Sequence, residues 1–213
     1  IAAGGTLTTT AALTKSDAGD LTLAGATAIN LGGTVTVSNG DLILTDDVTL
    51  SSGNLSASAN VIFNGAGTSN FTQAGDQTIT ATAGTITDSA GAILAKGDGT
   101  DLILVAEGTI GVSAGNRLGV AVSGVGGGVR ATTGGATSGI FIESSAALII
   151  ESLDTGTGVN TVNIATVANE AALTFSGAAY TDVAGDTFTL LSDGDLNFTV
   201  SGWTDVQTLS ATF

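Results

Sequence analysis

Apolar residues come in close pairs one polar residue apart, and Gly, Asn, Asp or Ser stands between one pair and the next. From Gly19 to Phe63 the pairs are Leu21 and Leu23, Ile29 and Leu31, Val35 and Val37, Leu42 and Leu44, Val48 and Leu50, and Val61 and Phe63. Alternation with period two gives a β-strand with one face inward. The separating residues supply turn geometry and tolerate positive φ. Strands this short and this closely spaced recur faster than the roughly 8–12 residues typical of sandwiches. They suit a triangular coil, whose turns bury their inner faces only against one another.

A longer repeat runs over the short one. Gly19-Asp20-Leu21-Thr22-Leu23 returns as Gly40-Asp41-Leu42-Ile43-Leu44, and with one insertion as Gly99-Thr100-Asp101-Leu102-Ile103-Leu104. Gly75-Asp76-Gln77-Thr78-Ile79 is a degenerate copy. Taken as one position of a coil, the aspartates 20, 41 and 101 imply a turn of about 20 residues followed by about three more, the short end of solenoid periods.

Composition narrows the partners. Nineteen acidic residues stand against four basic ones, for a formal charge of −15. Nucleic acid is excluded as a partner on this ground, because binding it needs clustered Lys and Arg, and an anionic membrane surface is disfavoured likewise. No apolar run approaches the ~20 residues of a membrane-spanning helix. Cysteine is absent, so neither disulfides nor a thiolate metal site can form. The chain starts at Ile1 without a signal-like segment and lacks Met, so we expect it to be a processed or excerpted piece with any export signal elsewhere. Apolar residues make up 43% and charged residues 11%, against about 25% charged in ordinary soluble domains. Such a surface offers little protection against association.

Beyond Asp101 the apolar runs thicken: Leu102 to Val105, Leu118 to Val122, Ile140 to Ile142 and Leu148 to Ile150, with a glycine cluster at Gly124 to Gly128 that reads as a wide turn. Gly108-Thr109-Ile110-Gly111-Val112-Ser113-Ala114-Gly115-Asn116-Arg117-Leu118, followed by Gly139-Ile140-Phe141-Ile142-Glu143-Ser144 and an Ala-Leu-Ile run, resembles the repeat of very large bacterial surface proteins of the filamentous-haemagglutinin type. The resemblance covers residues 19 to 155. It implies a right-handed parallel β-helix exported to the cell surface as an adhesin or structural fibre, and it carries no ligand-binding residues. The segment Ala184 to Leu191 is similar to the closing part of autotransporter-type passengers. Six of nine aromatics lie in the last stretch, Phe175, Tyr180, Phe188, Phe198, Trp203 and Phe213. We divide the chain into coil turns over 1–168 and an aromatic-rich C-terminal cap over 169–213, with Tyr180, Phe188, Phe198, Trp203 and Phe213 as candidates for docking.

Few motifs carry chemistry. Gly111-Val112-Ser113-Ala114-Gly115 has the form of a nucleophile elbow, but the chain has no histidine to act as base. The glycine cluster lacks the Lys-Ser or Lys-Thr of a phosphate loop. Asp46 and Asp47 are adjacent and, on a strand, would face opposite ways. Asp98 and Asp101, like Asp193 and Asp195, flank glycines in turns, where carboxylate and backbone oxygen could form weak Ca²⁺ sites. Thr34-Val35-Thr36, Thr78-Ile79-Thr80, Thr85-Ile86-Thr87 and Thr187-Phe188-Thr189 resemble the threonine pairs of ice-binding solenoids, yet their spacing is irregular, and outward strand threonines explain them.

We therefore expect an all-β, right-handed parallel β-helix (solenoid) of about ten turns, ~50 Å long at the ~4.8 Å strand separation of a sheet, with a left-handed solenoid or a sandwich as alternatives. The expected role is a non-enzymatic extracellular structural element at the cell surface. It would need no cofactor beyond possible structural calcium, and its partners would be copies of itself or neighbouring surface-protein segments. A carbohydrate-binding adhesin built on Trp203 and Tyr180 is the alternative, with a polysaccharide-degrading or ice-binding solenoid behind it.

Overall fold

The computed structural model describes residues 1–89, 91–168, 170–176 and 185–199, together with the backbone of 206–212. Within these residues the chain is all β, and every strand pairing is parallel. The strands, β1 to β24 in chain order, form three sheets that are the faces of a solenoid. The first face stacks β1 (Ala2–Ala3), β4 (Leu21–Gly25), β7 (Leu42–Leu44), β10 (Val61–Phe63) and β13 (Ile86–Asp88). The second holds ten strands: β2 (Leu7–Thr9), β5 (Ile29–Leu31), β8 (Val48–Leu50), β11 (Thr68–Phe71), β14 (Ile93–Lys96), β16 (Leu118–Val122), β18 (Gly139–Ser144), β20 (Thr161–Thr166), β22 (Asp186–Leu191) and β24 (Val206–Thr212). The third holds nine: β3 (Leu13–Lys15), β6 (Val35–Val37), β9 (Leu55–Ala57), β12 (Gln77–Ala81), β15 (Leu102–Ala106), β17 (Val129–Thr133), β19 (Leu148–Asp154), β21 (Leu173–Phe175) and β23 (Leu196–Phe198).

Register follows the apolar alternation. Leu23, Leu44 and Phe63 stack on consecutive turns of the first face, and all three are fully buried. Val35, Leu55, Ile79 and Leu104 do the same on the third. Each inner column is thus a row of aliphatic side chains at the strand spacing of a sheet, about 4.8 Å. A shift of one residue would turn a whole column outward. This is why so plain a sequence still has one register.

Turn length is not constant, and this corrects the reading of the glycine-aspartate phrase. The N–H of Asp41 bonds to Asp20, 21 residues back; that of Asn60 to Asp41, 19 back; and that of Thr85 to Asn60, 25 back. These residues share the corner entering the first face. Asp101 belongs instead to the corner entering the third, where its N–H bonds to Asp76, 25 residues back. The interval from Asp41 to Asp101 is therefore not a whole number of turns. One phrase marks two corners because both need the same things: a glycine at positive φ, such as Gly19 (φ 100°) or Gly99 (φ 75°), and a short acid to accept a backbone N–H.

The thickening of the apolar runs has a structural counterpart. The first face ends at β13, and beyond it Ile86 continues only through single bridges to Ile110 and then Ile140. From β16 onward the named strands alternate between the second and third faces and reach up to seven residues. The glycine cluster is the turn joining β16 to β17. It lies over the preceding turn so closely that a Cβ on Gly124 would stand 2.3 Å from the backbone nitrogen of Gly99.

A paired substitution tests the alternation. Leu44→Ala should cost about 2–5 kcal/mol through the cavity it leaves, whereas its outward neighbour Ile43→Ala should cost less than about 1 kcal/mol. Urea denaturation of the two variants reads the difference, and equal losses would contradict the inward assignment.

Candidate functional site

Most acids at the corners act on backbone. Asp41 Oδ1 accepts both the N–H and the side-chain amide of Asn60, each at 2.9 Å. Asp46 accepts from Gly25 N, and Asp47 from Gly67 N. At a corner the strand ladder lapses and leaves N–H groups without a partner, and a carboxylate or side-chain amide from the adjacent turn supplies one.

The four calcium candidates fall into separate places. Asp98, at φ 67°, is held by Lys96 (2.7 Å) and Thr100 (2.6 Å). Asp101 is 4% exposed and divides its oxygens between Gly128 N (3.0 Å) and Arg130 Nε (2.7 Å). Asp193 accepts from Glu170 N, and the Asp195 carbonyl accepts from Ser192 and from Leu173 N. Among the described residues no group of three or more acids converges as a metal cluster would.

Of the docking candidates, Phe188 is fully buried in an inward column of β22. Phe198, on β23 at the edge of the third face, is 43% exposed and stacks on Phe175 of the preceding turn with centroids 5.3 Å apart. Tyr180, Trp203 and Phe213 lie outside the described residues; of the proposed cap over 169–213, the described residues form β21 to β24, which continue the second and third faces. Two of the threonine pairs stand on the third face two turns apart, with Asn54 and Ser56 between them, while the other two stand on the first and second faces.

The cations are absorbed by the fold. Lys96 is fully buried; its ammonium donates to Gln73 O (3.0 Å), Gly97 O (3.3 Å) and Asp98. Arg130 links three turns through Asp101 and Glu151. Arg117 donates to Asn163 (2.6 Å) and pairs with Glu143 (3.4 Å). Lys15 folds back on the carbonyls of Asp17 and Ala18.

Three buried charges escaped the sequence reading although the alternation contains them. Leu94 points inward, so Lys96 must; Ile86 points inward, so Asp88 must; and Phe188 points inward, so Asp186 must, where it accepts from Asn160 N and Thr155. Asp88 continues the column of Leu44 and Phe63 at the strand where the first face ends. Burial is the largest influence on its carboxyl and raises its pKa, while the N–H groups of Gly119 and Gly91 act against this and Glu143 adds to it. Its Oδ2 has no hydrogen-bond partner among the described residues. Asp98 is shifted the other way, held below the usual carboxylate range by Lys96 first and Thr100 second.

Comparison of the chain with protein-family models, with curated proteins and with solved structures returns no match.

Two outcomes follow. Asp41→Ala leaves two donors of Asn60 without their acceptor and should lower stability by about 1–3 kcal/mol; Asp41→Asn keeps an acceptor oxygen and should stay near the native value in the same urea titration. For Asp88 the native state holds its proton to higher pH than the unfolded chain. Its contribution to stability is therefore full below the unfolded value, about pH 3.9, and is lost as pH rises through the folded value. Asp88→Asn should remove that loss, so its stability relative to the native protein should rise as pH increases above about 4, whereas Asp98→Asn should fall relative to it only as pH rises towards about 3.9 and stay level above that. Thermal melts from acid to neutral pH would show the two changes in separate windows, and a flat difference for Asp88→Asn above about pH 4 would refute the assignment.

Proposed function

We propose that the chain is a segment of a non-enzymatic, extracellular fibre or adhesin of the bacterial cell surface, related in kind to the filamentous-haemagglutinin repeats that residues 19–155 resemble, and that it assembles with other solenoid turns, either of another copy or of neighbouring surface-protein segments. The observation that carries this reading is how each turn is held: its strands bond to strands of the same face in the adjoining turns, in three parallel sheets, and its inner side chains are covered by the same columns. A turn of another solenoid segment could meet this one through the same contacts that hold one turn to the next, with Leu7 above Ile29 and Leu13 above Val35 continuing the inner columns.

Strand pairing of this kind also joins one chain to another. A head-to-tail contact of this type does not close on itself, so repetition gives a filament.

The acids support the non-enzymatic part. Polysaccharide hydrolysis uses two carboxyl groups facing one bond across a set distance, whereas the corner acids described above bond to backbone N–H groups of adjacent turns.

Light scattering and negative-stain microscopy over a concentration series, with and without Ca²⁺, test the proposal. The native chain should form rods that lengthen with concentration. The double variant Leu7→Lys/Leu13→Lys should remain a monomer with an unchanged β circular-dichroism spectrum. Monodisperse native monomers at high concentration would overturn assembly.

A further inference from the structure

The outer side of the second face carries a trough that the assembly reading does not use. One stretch, of about 520 Å³, lies over the first three turns between Thr8 and Ser51; a second, of about 400 Å³, follows between Asn70 and Ala146. The two adjoin, because Thr49 in the first pairs directly with Asn70 in the second. Two columns line it. Thr8, Asn30, Thr49, Asn70, Ala95 and Ala121 stand in register on successive strands. The residues two further on, Thr10, Gly32, Ser51, Thr72, Gly97 and Ser123, form the other side. Gly32 lets the adjacent turn come close: a Cβ there would stand 2.9 Å from Thr9 O.

Asparagine is depleted in strands and belongs at corners. The corner asparagines 54, 60 and 160 obey this, and each spends its amide on the backbone of an adjacent turn. Asn30 and Asn70 sit instead on strands of the second face, outward, two turns apart. Asn70 makes only a local bond to Thr68 O (3.2 Å), and the Asn30 amide makes no hydrogen bond among the described residues. Since Thr49 stands between them, they cannot form an amide ladder. The fold needs neither side chain.

We propose that this trough binds an extended, uncharged polysaccharide. Its side chains offer both donors and acceptors without net charge, as sugar hydroxyls require, and they recur on each of the first four turns, as the units of a polymer do. Ala95, Ala121 and Val122 supply an apolar floor for the C–H faces of sugar rings. The one charge that reaches it, Asp98, is paired with the inward, buried Lys96, and a chain of net charge −15 repels acidic glycans. A peptide strand is the poorer fit, because the trough lies on the face of the sheet, where backbone groups are already paired, and not on its edge.

Retention of the monomeric fraction on immobilised β-1,4-glucan, β-1,3-glucan and mannan, with polygalacturonate as the acidic comparator, tests the site separately from assembly. We expect retention on at least one neutral polymer and not on polygalacturonate. Asn30→Ala/Asn70→Ala should weaken it about tenfold, equivalent to about 1.4 kcal/mol, and the near-isosteric Thr49→Val should weaken it in the same direction. The pair Thr36→Val/Thr80→Val, outward on the third face, should leave it unchanged. All of these positions are outward, so melting temperatures should match the native protein. Absence of retention on every neutral polymer, stronger retention on polygalacturonate, or losses no greater in the trough variants than in the third-face pair would overturn the proposal.

Discussion

Each turn of this protein depends on the turns above and below it for both kinds of interaction that hold it. The strands are as short as two or three residues, too short to be stable singly or as hairpins, and within a turn they lie on different faces. Their backbone groups are satisfied only by the next turn, and their apolar side chains are buried only in columns that run along the coil. Stability in such an architecture is close to a sum of turn-to-turn terms. The composition follows from this. Small Thr, Ser, Ala and Gly suffice on the outside because nothing has to pack there, and the inner columns use Leu, Ile and Val because identical aliphatic shapes stack well in register.

The corners explain why so acidic a chain has so few free-standing clusters of acids. A coil that changes direction several times per turn interrupts its hydrogen-bond ladder each time, and a short acid or amide is the cheapest local acceptor for the N–H left over. Asp20, Asp41 and Asn60 serve one corner, Asp76 and Asp101 another. Stacked carboxylates repel each other, which a tightly closed globular domain would avoid. On a solenoid the corners face water, so the repulsion is screened and the hydrogen bond prevails.

The buried charges show how the coil changes shape. Asp88 lies where the first face stops, at the end of the Leu23, Leu44 and Phe63 column. Gly91 and Gly119 donate to it where a further strand would have stood. Lys96 lies in the equivalent inward position of the second face, after Leu50 and Phe71, and gathers the carbonyls of two successive loops. Both are polar plugs in otherwise aliphatic columns, placed at the transition from three strands per turn to two. Such groups need hydrogen-bond partners where they sit, and they mark a fixed point in an otherwise uniform repeat.

The alternation of apolar and polar residues, with glycine and short polar residues between runs, was enough to read an all-β coil of stacked parallel turns, the inward side of each strand, and the exclusion of cysteine or histidine chemistry. These are local properties, set by period-two geometry and residue type. The sequence reading failed where distance along the chain had to be converted into position in space. It aligned Asp101 with Asp20 and Asp41 because it assumed equal turns, and it took Phe188 for a docking residue although its alternation with Leu190 buries it. Lys96 and Asp88 were legible from the same alternation and were passed over because charge suggests surface. Which residues stand side by side on the outer faces, the column of Thr8, Asn30, Thr49 and Asn70 above all, was decided only by the fold. Turns of 22, 19 and 21 residues bring those side chains into one line, and that line depends on the sum of all the loops between them.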